Sequence, residues 1–304
     1  MIINSRLAVV LVLAAVVMVG CSAQPASSGG RIVAVGAENQ YTSVISQIGG
    51  RYVDATSVMS NPNTDPHSFE ASAQVAGTIS SASLVVQNGL GYDSFMSKIE
   101  SASPSSTRTI ITAQTVLGLP DSTRNPHLWY SPKTMPAVAK SIAAALSKIA
   151  PHHRSYFEAN LATFDASLTK WTDAITAFRS AHPGVPVATT EPVADYLLEA
   201  AGTTNRTPWA LQAAIMNDTD PAPQDVAKQN ALFTGGRVKA FLYNQQVTDS
   251  ITVKYLALAR ANSVPVVGVY ETMPTDDFTY QTWMEAELAA LDRAVSTGKS
   301  TVKL

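Results

Sequence analysis

The feature of the sequence that most constrains its fold is a repeated alternation of short apolar runs with longer amphipathic stretches. The runs "RIVAVGA" (31–37), "SLVVQNG" (83–89) and "VPVVGVY" (264–270) have the composition of buried strands. Each is followed by a stretch whose apolar residues recur every three or four positions, as on one face of a helix. Strands that alternate with helices predict parallel sheets of βα units, and hence an α/β fold.

One stretch in the middle of the chain departs from this alternation. Apolar residues are spaced by four and three positions over several turns, at Phe157, Leu161, Phe164, Leu168, Trp171, Ile175 and Phe178. A coiled-coil partner helix is one interpretation, and a rigid helix that connects two lobes is the other. Because the βα pattern resumes afterwards, we predict an N-terminal lobe (31–150), one long connecting helix (151–181) and a C-terminal lobe (182–304).

The start of the chain predicts a processing signal. Arg6 is the one charge before the apolar run "LAVVLVLAAVVMVG", which is shorter than the roughly 20 residues of a membrane-spanning helix. The ending "MVGC" resembles the lipobox of bacterial lipoproteins, with Met18 in place of the usual leucine. We therefore expect a signal peptide (1–20), lipidation of Cys21 and a flexible tether (21–30) rich in Ser, Gly and Pro. An ordinary signal peptide is the alternative.

Composition excludes several classes of function. Charged residues make up only 14% of the chain and the net charge is -2, with no basic run. A protein that binds nucleic acid needs a positive face, so we expect no nucleic-acid partner. The sequence also has no glycine-rich loop of the kind that binds nucleotide phosphates.

Four side chains that can bind metal follow predicted strands, two in each predicted lobe. They are His67 in "DPHSF", His127 in "NPHLWY", Glu191 after "VPVATT" and Glu271 after "VPVVGVY". Ligands of parallel α/β sheets bind beyond the carboxyl ends of the strands, so these groups can meet across a cleft between the lobes. Two imidazoles and two carboxylates form a four-ligand site for a divalent transition metal.

Each candidate also has an ordinary structural interpretation, which the spacing alone leaves open. A histidine in a Pro-His turn is commonly a capping or surface residue. Glu191 precedes a predicted helix, where the helix dipole favours a carboxylate, and Glu271 is in the position of a polar strand end.

The motifs as a set resemble the zinc and manganese solute-binding lipoproteins of bacterial ABC importers. The resemblance extends over the mature chain through "AENQYTSVISQIGG", "DPHSFEAS", "NPHLWYSP", "EPVADYLLEAAG" and "VPVVGVYETMP". It implies that His67 and His127 are metal ligands, that Glu191 is the third ligand and that Glu271 is the fourth. The fourth ligand of the family is usually an aspartate, so Asp276 and Asp277 on the following loop are alternatives to Glu271.

The resemblance implies a capture protein and not an enzyme. Such a protein is a monomer, is anchored outside the cytoplasm by its lipid, and delivers Zn2+ or Mn2+ to an ABC permease and its ATPase. The competing classes are a hydrolase whose zinc is held by His67, His127 and Glu191, with an open position for water, and a surface adhesion lipoprotein.

Overall fold

A computed structural model describes residues 30–62, 69 and 72–304 of the protein. The predicted signal peptide, Cys21, the tether before Gly30 and His67 lie outside these described residues. Arg31–Leu304 is one compact unit. No helix among the described residues has both the length and the apolar character needed to cross a membrane.

Within the described residues, eight strands form two separate four-stranded sheets, and every pairing between these strands is parallel. The first sheet has the order β2-β1-β3-β4 and contains β1 (Ile32–Glu38), β2 (Val53–Met59), β3 (Leu84–Gln87) and β4 (Thr109–Thr112). The second has the order β6-β5-β7-β8 and contains β5 (Pro186–Thr189), β6 (Thr204–Asn205), β7 (Ala240–Asn244) and β8 (Val266–Val269). The predicted α/β class with two parallel sheets is confirmed.

Twelve α-helices among the described residues connect and cover the strands. Those of the first half are α1 (Asn39–Gly49), α2 (Ala73–Ser81), α3 (Ser94–Ala102), α4 (Ala113–Val116), α5 (Thr134–Ile149) and α6 (Arg154–Ser167). Those of the second half are α7 (Thr169–Ala181), α8 (Asp195–Ala200), α9 (Trp209–Met216), α10 (Pro223–Thr234), α11 (Ser250–Ala261) and α12 (Tyr280–Thr297). β3, β7 and β8 are buried along their whole length, as expected for parallel strands with helices on both faces.

The segment predicted to be one long connecting helix (151–181) differs from that prediction, because it contains a 3-10 turn (Pro151–His153) and two helices, α6 and α7, separated at Leu168. The amide of Leu168 bonds to the carbonyl of Asp165 at 3.3 Å, three residues back, which tightens one turn without ending the helical path. α6 packs against α1 and α5, whereas α7 packs against α12. The apolar residues spaced by four and three positions between 157 and 178, here called the apolar stripe, are buried, except that Leu161 is half-buried. The pair of helices is therefore part of the core.

The main hydrophobic core includes residues from both lobes. Trp129, Trp171 and Trp283 are fully buried in it, and they come from the N-terminal lobe, α7 and α12 respectively. α12 also contacts the N-terminal lobe through a hydrogen bond, in which the Tyr280 hydroxyl donates to the carbonyl of Trp129 at 2.7 Å. One hydrophobic core therefore packs against both sheets and fixes the positions of their strands.

Candidate metal centre

The three predicted ligands that the structure describes all lie near the carboxyl ends of strands. Glu191 and Glu271 each come two residues after a strand, β5 and β8 respectively. His127 immediately precedes a short 3-10 turn, Leu128–Tyr130, in the connection between α4 and α5. His127 and Glu271 are completely buried and Glu191 is 2% exposed. Buried ionisable groups need polar partners, and those partners define the geometry of the centre.

The orientation of the His127 ring is fixed by Asn125. The Asn125 side-chain oxygen accepts the backbone N–H of His127 at 3.0 Å, and its amide nitrogen donates to the carbonyl of Pro192 at 2.8 Å. Because these two bonds identify the oxygen of Asn125, the His127 Nδ1 at 2.7 Å from it carries a proton and donates. In the neutral imidazole this leaves a lone pair on Nε2, the arrangement found in metal-binding histidines.

The Nε2 atom of His127 faces Glu271. The distance from Nε2 to the Glu271 Oε2 is 3.2 Å. Glu271 Oε2 also accepts from the Tyr92 hydroxyl at 2.9 Å, and Oε1 accepts from the amide nitrogen of Asn244 at 2.7 Å. The backbone of Glu271 is held as well, by Gln246 at its N–H and by Gln40 at its carbonyl. An imidazole from the N-terminal lobe and a carboxylate from the C-terminal lobe thus meet in the protein interior.

Glu191 is connected to Glu271 through Asn244, the last residue of β7. The amide nitrogen of Asn244 donates to Glu191 Oε1 at 2.9 Å as well as to Glu271. The Asn244 side-chain oxygen accepts the backbone N–H of Gln246 at 3.0 Å, which fixes the orientation of the amide. One amide group therefore sets the positions of both carboxylates.

The structure separates Glu271 from the two aspartates that were alternatives to it. Asp276 and Asp277 are exposed on the loop before α12, whereas Glu271 is buried against His127. Among the described residues, Glu271 is thus better placed than either aspartate to be the fourth ligand.

The predicted site is incomplete in the part of the chain that the structure describes. Within that part, no three His, Cys, Asp or Glu side chains lie close enough together to form a metal cluster. His127 and Glu271 are in contact, Glu191 reaches Glu271 through Asn244, and His67 lies outside the described residues. The four-residue ligand set consequently stays a prediction.

The remaining histidines lie elsewhere. His152 is exposed, His153 stacks on Tyr52 with ring centres 3.7 Å apart, and His182 bonds to Asp292 at 3.2 Å. All three are away from the carboxyl ends of the strands.

Sequence reasoning missed the amides and the additional acids around the centre. Asn125 and Asn244 directly contact the predicted ligands, and Glu38, at the end of β1, is completely buried nearby. Burial, with the charges of Glu271 and Glu38, raises the pKa of the Tyr92 hydroxyl well above its usual value, so Tyr92 acts as a neutral donor. The sequence did contain signals for these residues. Asn125 lies beside Pro126 and His127, and Glu38 and Asn244 come at the ends of strands, where ligands bind in parallel α/β sheets.

The arrangement of two parallel-sheet α/β lobes, with an imidazole and carboxylates near the carboxyl ends of their strands, belongs to a fold class that includes solved metal-binding proteins. The periplasmic zinc-binding protein TroA from Treponema pallidum has the same fold, with a TM-score of 0.74 and 17% identity over 89% of this chain and 100% of that one. FpvC from Pseudomonas aeruginosa, solved in complex with Ni2+, has a TM-score of 0.71 and 20% identity over 90% of this chain and 100% of that one.

The sequence identifies the family within this class. The family model described as zinc-uptake complex component A, periplasmic, matches residues 35–294, and the chain belongs to this family. The manganese-binding lipoprotein MntA of Bacillus subtilis is 26% identical over 165 residues, which are 51% of this chain and 54% of MntA. The chain thus matches about half the length of this relative. The resemblance found in the sequence motifs is confirmed.

Proposed function

We propose that the protein captures one divalent transition metal ion, Zn2+ or Mn2+, between its lobes and delivers it to an ABC permease that is driven by its ATPase. The ligands are His67, His127, Glu191 and Glu271. The observation that carries the proposal is the buried contact between His127 Nε2 and Glu271 Oε2, which joins the two lobes at 3.2 Å. Family membership supports it independently.

Capture follows from the charges and the hydrogen bonds of these residues. Two carboxylates neutralise an ion of charge 2+, which lowers the cost of burying that charge away from water. Asn125 keeps the His127 Nε2 lone pair directed at the ion, and Asn244 holds the carboxylates until the ion replaces it as their partner. Release to a permease requires the reverse exchange, in which the amide bonds to the carboxylates again.

Capture is favoured over hydrolysis by the position of Glu271. A catalytic zinc usually has three protein ligands and one position open to water. The buried Glu271 carboxylate is in contact with His127 and would occupy that fourth position. A closed ligand shell suits an ion that is carried.

The donor set allows both metals. Two carboxylates make the site harder than an all-imidazole site, which favours Mn2+, whereas the Irving–Williams order favours Zn2+ for any such set. The family description names zinc and the relative MntA is described as manganese-binding. We propose that purified protein binds Zn2+ more tightly, and that the transported ion is one of the two.

The location is proposed from the sequence of the N-terminus. Lipidation of Cys21 would hold the protein, as a monomer, on the outer face of a membrane beside its permease, with residues 21–30 as the tether. The supporting observations are the "MVGC" motif and the description of MntA as a lipoprotein.

The test is growth of a deletion strain under separate zinc and manganese starvation. We expect a plasmid-borne wild-type copy to restore growth under one of the two conditions, and Cys21→Ser to leave the membrane fraction and restore it poorly. Failure of the wild-type copy under both conditions would contradict transport. A Cys21→Ser protein that stays in the membrane fraction would contradict the lipid anchor alone.

A further inference from the structure

Glu38 is a buried acid whose carboxyl group bonds to no other residue in the described part of the chain. It is the last residue of β1 and is completely inaccessible to solvent. Neither oxygen of its carboxylate has a hydrogen-bond partner among the described residues. Burial, followed by the charges of Asp93 and Glu271, raises its pKa well above the usual range. Ionising a buried carboxyl group that lacks a partner is costly, and unsatisfied buried groups of this kind are often retained for function.

The place of Glu38 in the first sheet corresponds to that of Glu191 in the second. The two sheets have the same strand order, so β1 and β5 are equivalent inner strands, flanked in each sheet by the next two strands of the chain. Glu38 ends β1 and Glu191 follows β5 by two residues. In both sheets the strand order reverses beside this inner strand, and ligands of parallel α/β sheets bind at such points.

The two lobes differ in what the neighbouring asparagine does. In the C-terminal lobe, Asn244 at the end of β7 donates to Glu191. In the N-terminal lobe, Asn88 follows the equivalent strand β3, but its amide nitrogen donates to the carbonyls of Pro126 and Gly89. Glu38 therefore lacks the donor that its counterpart has. A cation is the other partner that satisfies a buried carboxylate.

The two residues that follow Glu38 in the chain are bonded to the segment that contains Glu271. Asn39 donates to the carbonyl of Met273 at 3.0 Å and accepts the amide of Met273 at 2.8 Å. Gln40 donates to the carbonyl of Glu271 at 3.0 Å. These buried hydrogen bonds connect the start of α1 to the loop that carries the predicted fourth ligand. They therefore fix the backbone positions of Glu38 and Glu271 relative to each other.

We propose that Glu38 is a further carboxylate of the metal centre, which supplies an oxygen to the bound ion and raises the affinity for Mn2+ by a larger factor than the affinity for Zn2+. This inference rests on the proposed function. An added carboxylate oxygen raises the coordination number and the hardness of the donor set. Mn2+ accommodates more oxygen ligands, whereas zinc sites in proteins are usually four-coordinate.

The test compares Glu38→Gln with wild type in two measurements. The first is the Kd for Mn2+ and for Zn2+, measured by competition with a chelating dye, and the second is the Tm in the presence of excess chelator. We expect Mn2+ affinity to fall at least about tenfold, Zn2+ affinity to fall less, and the metal-free Tm to be equal to or higher than that of wild type. The rise follows because glutamine removes a buried, unpaired ionisable group.

Glu287→Gln is the matched control, because it makes the same exchange at a fully buried carboxyl whose hydrogen-bond partners among the described residues, Tyr130 and Trp283, are not predicted ligands. It is expected to leave the ratio of the two Kd values unchanged. Equal losses of both metals in Glu38→Gln, or no loss, would overturn the role of Glu38 while leaving metal capture intact. Wild-type protein that binds neither ion would instead overturn the proposed function itself.

A second variant keeps the inference testable if Glu38→Gln folds poorly. Glu38→Asp retains the charge but shortens the side chain by one methylene. Coordination by Glu38 predicts a loss of Mn2+ affinity in this variant. Wild-type Mn2+ affinity in Glu38→Asp would show that Glu38 supplies charge without contact, and would overturn its assignment as a ligand.

Discussion

Two asparagines determine how the predicted ligands are presented. Asn125 assigns the proton of His127 to Nδ1, and Asn244 shares one amide group between Glu191 and Glu271. Neither asparagine is itself a strong metal ligand. Their contribution is to hold side chains that would otherwise rotate, and loss of such outer partners typically lowers metal affinity by about 10- to 100-fold.

Replacement of His127 should separate metal binding from folding. We expect His127→Ala to lose more than the roughly 100-fold in affinity that an outer partner contributes, because a ligand itself is removed. His152→Ala is the control, since His152 is exposed and away from the strand ends. Isothermal titration of both variants with Zn2+ measures the difference. Equal losses in the two variants would remove His127 from the ligand set.

The sequence predicted the ligand candidates but not their partners. His127, Glu191 and Glu271 follow strands whose apolar composition is visible, and the Pro-His turn is distinctive. Asn125 and Asn244 act through contacts with residues that are distant in the chain, such as Asn125 with Pro192, and Glu38 is buried only because distant segments pack over it. Asparagine and glutamate are common at turns and helix starts for local reasons, so their identity alone does not indicate such contacts.

At the scale of single elements, α12 contains an acid whose ionisation opposes folding. Glu287 is completely buried, and one of its oxygens accepts from the Tyr130 hydroxyl at 3.0 Å and from the Trp283 ring N–H at 3.1 Å. Burial raises the pKa of Glu287 from 4.5 to about 8. The folded protein therefore keeps a proton that the unfolded chain releases between these two values.

This difference predicts how stability changes with pH. Between pH 4.5 and about 8 the folded state binds more protons through Glu287, so its contribution to the free energy of unfolding falls as pH rises. Glutamine cannot ionise and keeps an oxygen for Tyr130 and Trp283. We expect the Tm of Glu287→Gln, relative to wild type, to be higher at pH 9 than at pH 5. A difference in Tm that is the same at both pH values would contradict the raised pKa.

The elements themselves were largely visible in the sequence, with two informative exceptions. β6 has only two residues, too few for any periodic pattern to be detected. The break at Leu168 between α6 and α7 also has no local signal, because leucine favours helix and the apolar stripe runs through it. The tightened turn arises where the first helix packs on the N-terminal lobe and the second packs on α12.

At the scale of the whole molecule, the candidate centre depends on contacts between the lobes. Bonds from the N-terminal lobe to the C-terminal lobe include Asn125 to Pro192 at 2.8 Å and Tyr130 to Tyr270 at 2.8 Å. The sequence predicted two parallel sheets, but strand order is decided by pairing between distant segments, and local patterns do not encode it. The lobe boundaries at residues 150 and 182 stay a prediction.

Anomalous diffraction from crystals grown with Mn2+ or Zn2+ shows directly whether a single ion binds across both lobes. We expect one anomalous peak within about 2.0–2.3 Å of His127 Nε2 and of a Glu271 oxygen, with His67 and Glu191 completing the shell. A peak that lies only at surface groups such as His152, or no peak from protein saturated with either ion, would contradict it.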